Sequence, residues 1–187
     1  MNKRILAALL LGACAGTLQG CFPVIVAGAG TAAVMATDRR TTGVQVEDGN
    51  IEFKIAGLDF GKSHVNATSY NLKVLLTGEA YDEALRSSIE QKVRAIASVK
   101  EVVNEIQVAG NSSLASRSND TLITSNVKTR MVNNAHFNVL QIKVITEAGT
   151  VYLMGLVTPE EGDAAVEIAR TTSGVNRVVK VFEYIGK

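Results

Sequence analysis

The 187-residue sequence predicts an α+β fold in which one small module, ordered helix, strand, strand, helix, strand, is written twice. Two motif pairs carry this expectation. Val74-Leu75-Leu76-Thr77-Gly78 returns 77 residues later as Val151-Tyr152-Leu153-Met154-Gly155, and Val99-Lys100-Glu101-Val102-Val103 returns 76 residues later as Val175-Asn176-Arg177-Val178-Val179. Matches in the same order at nearly one offset mark an internal repeat. Within each copy the apolar residues also change period, from every fourth residue in helical stretches to near-continuous runs of strand length.

The second copy is the more regular. Asp120 reads as the cap of a helix whose apolar positions Ile123, Val127 and Met131 recur every four residues. Strands over 141–146 and 150–154 follow, joined by Glu147-Ala148-Gly149, where Gly149 supplies the positive φ of a hairpin turn. Gly155 closes the second strand. A helix over 159–172 accepts Pro159 in its first turn, because the N–H that proline lacks has no partner there. Gly174 ends this helix, and 175–184 forms the last strand.

The first copy reads as a short helix over 51–58, strands over 65–70 and 73–76, a helix over 83–97 carrying Leu85, Ile89, Val93 and Ile96, and a strand over 99–108. Leu72 stands where the second copy has Gly149, and Ser98 where it has Gly174, so both turns are expected to need another geometry. Gly57 and Gly61 weaken the first helix by about 1 kcal/mol each relative to alanine. The first copy is therefore expected to be the more deformable. Runs such as Val74-Leu75-Leu76, apolar without alternation, imply a small three-stranded mixed sheet covered by helices on one face and by the other copy on the second. A module of this size buries only about 60% of its unfolded surface. The copies, 46–109 and 119–187, are thus expected to dock on each other across the polar linker 110–118.

Ahead of the repeat, Lys3 and Arg4 precede an apolar run that starts at Ile5, fades toward Leu18 and ends in Leu18-Gln19-Gly20-Cys21. The order is that of a secretory signal. It resembles the lipoprotein signals in which a cysteine following a small residue is acylated and becomes the new N-terminus. On this reading 1–20 is a cleaved signal peptide, Cys21 is the lipidation residue, and 21–45 is a flexible tether with a coil-like reach of roughly 27 Å. Leu11-Gly12-Ala13-Cys14 has a similar grammar, but cleavage there leaves an apolar core of only about seven residues. The run 5–18 is too short and too rich in Gly and Ala for a spanning helix, which needs about 20 apolar residues.

Without residues 1–20 the chain carries 17 Lys+Arg against 18 Asp+Glu. A near-neutral body with no basic run argues against nucleic acid as a partner. Both cysteines lie in the N-terminal segment, so packing and not a disulfide must hold the modules. His64 and His136 each fall between the first helix and first strand of a copy, with no nucleophile or ligand at useful spacing. Gly28-Ala29-Gly30 lacks the flanking strand, helix and lysine of a phosphate loop. No catalytic residue, metal or cofactor is expected.

The strand ending Val-x-Leu-x-Gly and the late Gly-Val-x-x-Val resemble the dual BON-domain lipoproteins of the outer membrane and periplasm. They occur here as Val74 to Gly78 with Ser98-Val99-Lys100-Glu101-Val102, and as Val151 to Gly155 with Gly174-Val175-Asn176-Arg177-Val178. Asp38-Arg39-Arg40-Thr41-Thr42-Gly43 and Ser118-Asn119-Asp120-Thr121 followed by Ile123-Thr124 extend the likeness over nearly the whole chain beyond the signal. The resemblance implies a non-enzymatic outer-membrane lipoprotein on the periplasmic face. It further implies a second domain that binds anionic phospholipid, and a role in envelope integrity, with presence at division sites. A close relative within the family has tryptophan where this chain has Leu122, and leucine lacks the indole's preference for the headgroup level.

The helix from Asp120 to Asn133 suits such a contact. With Ile123, Val127 and Met131 turned inward, the opposite arc carries Leu122, Ser125, Thr129 and Val132, with Lys128 at its border. Leu122 and Val132 suit packing on the first copy as well. Lys128 and Arg130 are each expected to add about 1 kcal/mol near an anionic surface that they face. An envelope protein partner is the other reading, recruited to a sheet edge or to the first copy, where 46–109 holds 7 basic and 10 acidic groups.

Overall fold

The structure, a computed structural model, describes residues 38–132, 134 and 137–186. The first module runs α1 (Thr42–Ala56), β1 (His64–Tyr70), β2 (Lys73–Ala80), α2 (Glu83–Arg94), β3 (Glu101–Asn104) and β4 (Gln107–Val108). The second runs α3 (Leu114–Val132), a 3-10 turn (Val139–Gln141), β5 (Ile142–Glu147), β6 (Thr150–Val157), α4 (Pro159–Arg170) and β7 (Arg177–Tyr184). In each sheet the middle strand, β2 or β6, pairs antiparallel with the strand before it and parallel with the one after the crossover helix. The mixed sheets and the repeated order are those expected. In the first module the last strand lapses at Glu105-Ile106 and resumes as β4, whereas β7 pairs without a break.

Both middle strands pass through the glycine expected to end them, Gly78 and Gly155, and are buried over nearly their whole length. Alternation along them assigns each side chain to a layer. Val74 and Leu76 join Ile51, Ile55, Ile89 and Val93 under the helices of the first module, and Val151 and Leu153 join Ile123, Val127, Met131 and Ala165 in the second. The intervening Leu75, Tyr152 and Met154 point the other way and meet Tyr70, Leu156 and Val181 in a third apolar cluster between the sheets. The modules therefore dock sheet to sheet, as the marginal size of each requires. Burial, with the charge of Glu105, pushes the Tyr152 phenol in this layer up to about 12.

The helix starts differ from expectation. Both begin six residues ahead of an aspartate, at Thr42 before Asp48 and at Leu114 before Asp120, so α1 takes in the end of the expected tether and α3 the second half of the expected linker. Thr41 caps α1 by accepting from Val44 N at 3.3 Å, and Ser113 plays that part for α3, accepting from Ser116 N at 3.1 Å. Asp120 is no cap: it is 5% exposed, and its carboxylate accepts from Ala148 N at 2.9 Å and Gly149 N at 2.8 Å. Asp48, 3% exposed, does the same for Asn71 N and Leu72 N at 2.9 and 2.8 Å. Each module thus ties its first helix to its hairpin through one buried carboxylate.

The hairpin turns are likewise the same in both copies, although other geometry is expected where glycine is missing. Asn71 and Leu72 have φ of 54° and 67°, and Ala148 and Gly149 have 49° and 73°, all in the left-handed region that a tight two-residue turn needs. Ser98 at φ 77° repeats Gly174 at 87°. The first copy holds by tertiary contact what the second obtains from glycine.

Candidate functional site

α3 displays the residues expected on its outer arc. Leu122 and Val132 are each 63% exposed, and Ser125, Lys128 and Thr129 are exposed with them. Neither aliphatic side chain is covered by the first module. Leu114, 79% exposed and placed by the sequence in a linker, extends the same ridge toward the helix start. At 1.5 Å per residue, Leu114, Leu122 and Val132 stand about 12 and 15 Å apart along the helix.

The polar side chains between them are largely satisfied within the helix. The hydroxyls of Ser118, Thr121 and Thr129 donate to the carbonyl oxygens of Leu114, Arg117 and Ser125, four residues back, at 3.0, 3.0 and 2.9 Å. A hydroxyl already bonded to its own backbone loses little when water is withdrawn. The only carboxylate in α3 is the buried Asp120, so its outer surface carries no acidic group. Lys128 is exposed beside the ridge. Arg130 is turned away: its guanidinium donates to Ile168 O, Thr172 Oγ1 and Thr171 Oγ1 at 2.9, 2.6 and 3.0 Å, closing the end of α4. Cys21 and His136 lie outside the described residues.

Beside this ridge, between α3, the β5–β6 hairpin and the start of β1, opens a groove of about 530 Å³. Ser125 and Lys128 line it together with Asp120, Thr124, Glu147 and His64. Glu147 is 8% exposed, and its Oε2 accepts from Asn66 Nδ2 at 2.9 Å and Thr77 Oγ1 at 3.4 Å across the module boundary. Among the described residues no group of three or more His, Cys, Asp or Glu is arranged to hold a metal ion, and no helix is long and apolar enough to cross a membrane.

The segment Asp38-Arg39-Arg40 forms a strap where a loose tether is expected. Arg39 makes a bidentate pair with Glu161 at 2.6 and 2.8 Å and donates to Leu156 O at 2.8 Å in the second module. Arg40 pairs with Asp48 at 2.9 Å in the first module and lies over the Tyr70 ring, 3.9 Å from its centroid. Burial works against the Asp38 carboxylate, but the hydrogen bonds and charge of Arg40 more than offset it and leave its pKa below the usual range. Arg39's hydrogen bond lowers that of Glu161.

With its helix, hairpin, helix and strand written twice, the chain belongs to the BON domain family, whose model matches residues 48–110 and 119–186. It is a dual-BON lipoprotein of the DolP kind. Among its relatives it is 38% identical over 184 residues, 95% of either chain, to the outer membrane lipoprotein DolP of Haemophilus influenzae. It is also 34% identical over 155 residues, 79% of either chain, to the 21 kDa hemolysin of Actinobacillus pleuropneumoniae.

Proposed function

We propose that the protein is a non-enzymatic lipoprotein of the outer membrane, anchored through acylated Cys21 at the periplasmic face, whose second module lays α3 on anionic phospholipid and so supports envelope integrity, including at division sites. One observation carries the lipid reading. α3 exposes Leu114, Leu122 and Val132 on a ridge whose intervening Ser and Thr hydroxyls are mostly bonded to their own helix, beside Lys128 and with no exposed carboxylate. Shallow insertion of three aliphatic side chains is worth a few kcal/mol at about 25 cal/mol per Å², and Lys128 adds about 1 kcal/mol at an anionic surface. Such a contact is weak in solution. An anchored chain needs no more, because tethering holds the module near the bilayer at an effective concentration of order millimolar.

The test uses the body from residue 22 onward, titrated with vesicles with and without anionic lipid. Leu122→Glu is expected to lower binding to anionic vesicles about tenfold at an unchanged unfolding temperature, since Leu122 contributes nothing to either core. Leu122→Trp is expected to raise binding, because an indole prefers the headgroup level. Unchanged binding by the glutamate variant would remove α3 as the lipid face.

A further inference from the structure

The groove over Asp120 is the repeat counterpart of the place that Arg40 occupies in the first module, and we propose that it takes an arginine side chain from an extended segment of a protein partner. The correspondence runs residue by residue. Asp48 and Asp120 are each the seventh residue of their helix and each accept from the two backbone N–H groups of their own hairpin turn. Asp48 accepts two further bonds, from Ser69 Oγ at 2.7 Å and from Arg40 Nη1 at 2.9 Å. At Asp120 neither further position is filled among the described residues. Thr146, which replaces Ser69, accepts instead from Thr124 Oγ1 at 2.7 Å, and Ser112, which replaces Arg40, has no side chain long enough to reach. Asp120 is accordingly a carboxylate that is 5% exposed and has no ion pair among the described residues. A charge so buried is ordinarily neutralised by a cation.

The walls of the groove fit a guanidinium. Where the first module offers the Tyr70 ring to Arg40, the second offers Glu147, whose two hydrogen bonds among the described residues both fall on Oε2 and leave Oε1 as an acceptor. An arginine between Asp120 and Glu147 meets two carboxylates in a partly enclosed site, where charge-assisted bonds are strongest. Two cations also line the groove. Arg117 is held back by Ser112, donating to its Oγ and backbone oxygen at 3.2 and 3.1 Å, and Lys128 lies along α3 beyond Thr124. The strap itself carries Asp38 two places ahead of Arg40, paired with the same guanidinium at 2.7 Å, and a segment of that kind brings its own carboxylate to its arginine. The inferred ligand is thus an extended peptide with an arginine preceded closely by an acid. The inference does not depend on the lipid face of α3.

The full chain in detergent micelles, titrated against a fluorescent Thr-Asp-Arg-Arg-Thr-Thr peptide and followed by anisotropy, tests it. Binding is expected to weaken about tenfold or more when the second arginine is replaced by citrulline, which keeps the shape and removes the charge. It is expected to weaken similarly in Glu147→Gln. Ser112→Arg supplies the missing side chain from within the molecule and is expected to abolish peptide binding without lowering the unfolding temperature. Equal binding of the citrulline peptide, undiminished binding by Ser112→Arg, no binding by the parent chain, or displacement of the peptide by inorganic phosphate would each overturn the assignment.

Discussion

At the scale of single residues the two copies solve the same backbone problem with different side chains. Leu72 and Ser98 adopt the left-handed conformation that Gly149 and Gly174 adopt in the second copy. For a residue with a Cβ this costs about 1–2 kcal/mol. Leu72 offsets the cost by packing on the core of its module, whereas Ser98 is exposed and recovers only part of it through a hydrogen bond with the Glu47 carboxylate. Ser98→Gly is therefore expected to stabilise the protein by about 0.5–1 kcal/mol, read as a higher denaturant midpoint with an unchanged slope. The reciprocal change should do the opposite. A Cβ at Gly174 meets Ile123 Cγ1 at 3.1 Å, so Gly174→Ser combines strain with crowding of a core residue and is expected to cost about 2 kcal/mol or more.

At the scale of elements, the strap carries a dependence on acid. Arg39's hydrogen bond holds the Glu161 carboxyl below its usual value of 4.5. A depressed folded pKa contributes stability that is complete above the unfolded value and is lost as pH falls through the folded one. Glu161→Gln keeps the capping box with Thr158 but loses the charge that binds Arg39. The variant is expected to be less stable than the parent by about 1 kcal/mol at neutral pH, with the gap closing below about pH 4.5. Denaturation midpoints of both proteins between pH 7 and 3 measure it, and a gap independent of pH would show that the ion pair contributes nothing.

Elements also mark the limit of what the sequence reveals. Strands and the α2 and α4 helices are legible because Leu85, Ile89 and Val93, or the runs at Val74 and Val151, repeat at the period of the structure they form. The starts of α1 and α3 are not. An aspartate just ahead of an apolar stripe looks like a cap, and only the folded hairpin shows that its carboxylate serves a turn 23 to 29 residues further on. Leu114 was hidden by the same displacement, since a leucine between serines reads as linker until the helix includes it. The half of the strap made by Arg39 leaves no local trace, because its partners lie 117 and 122 residues away. The outer arc of α3 was legible because helical geometry fixes which residues oppose Ile123, Val127 and Met131.

At the scale of the whole molecule, the sheet-to-sheet layer makes two small modules into one folding unit. Leu75 is 1% exposed and Met154 likewise, and both belong to the cluster that the two modules share. Leu75→Ala is expected to cost about 2–4 kcal/mol and to leave one transition, with coincident probes placed in the two modules. Separate transitions would show that the layer only juxtaposes them. The strap adds a mechanical property to this unit. Arg39 grips the second module and Arg40 the first, so tension drawn along the chain ahead of Asp38 divides between them before α1 bears any load. A pull from that side must release both ion pairs before it can open the helix from its first turn. A protein held by its N-terminal end thereby passes force to both modules and not to the first helix alone.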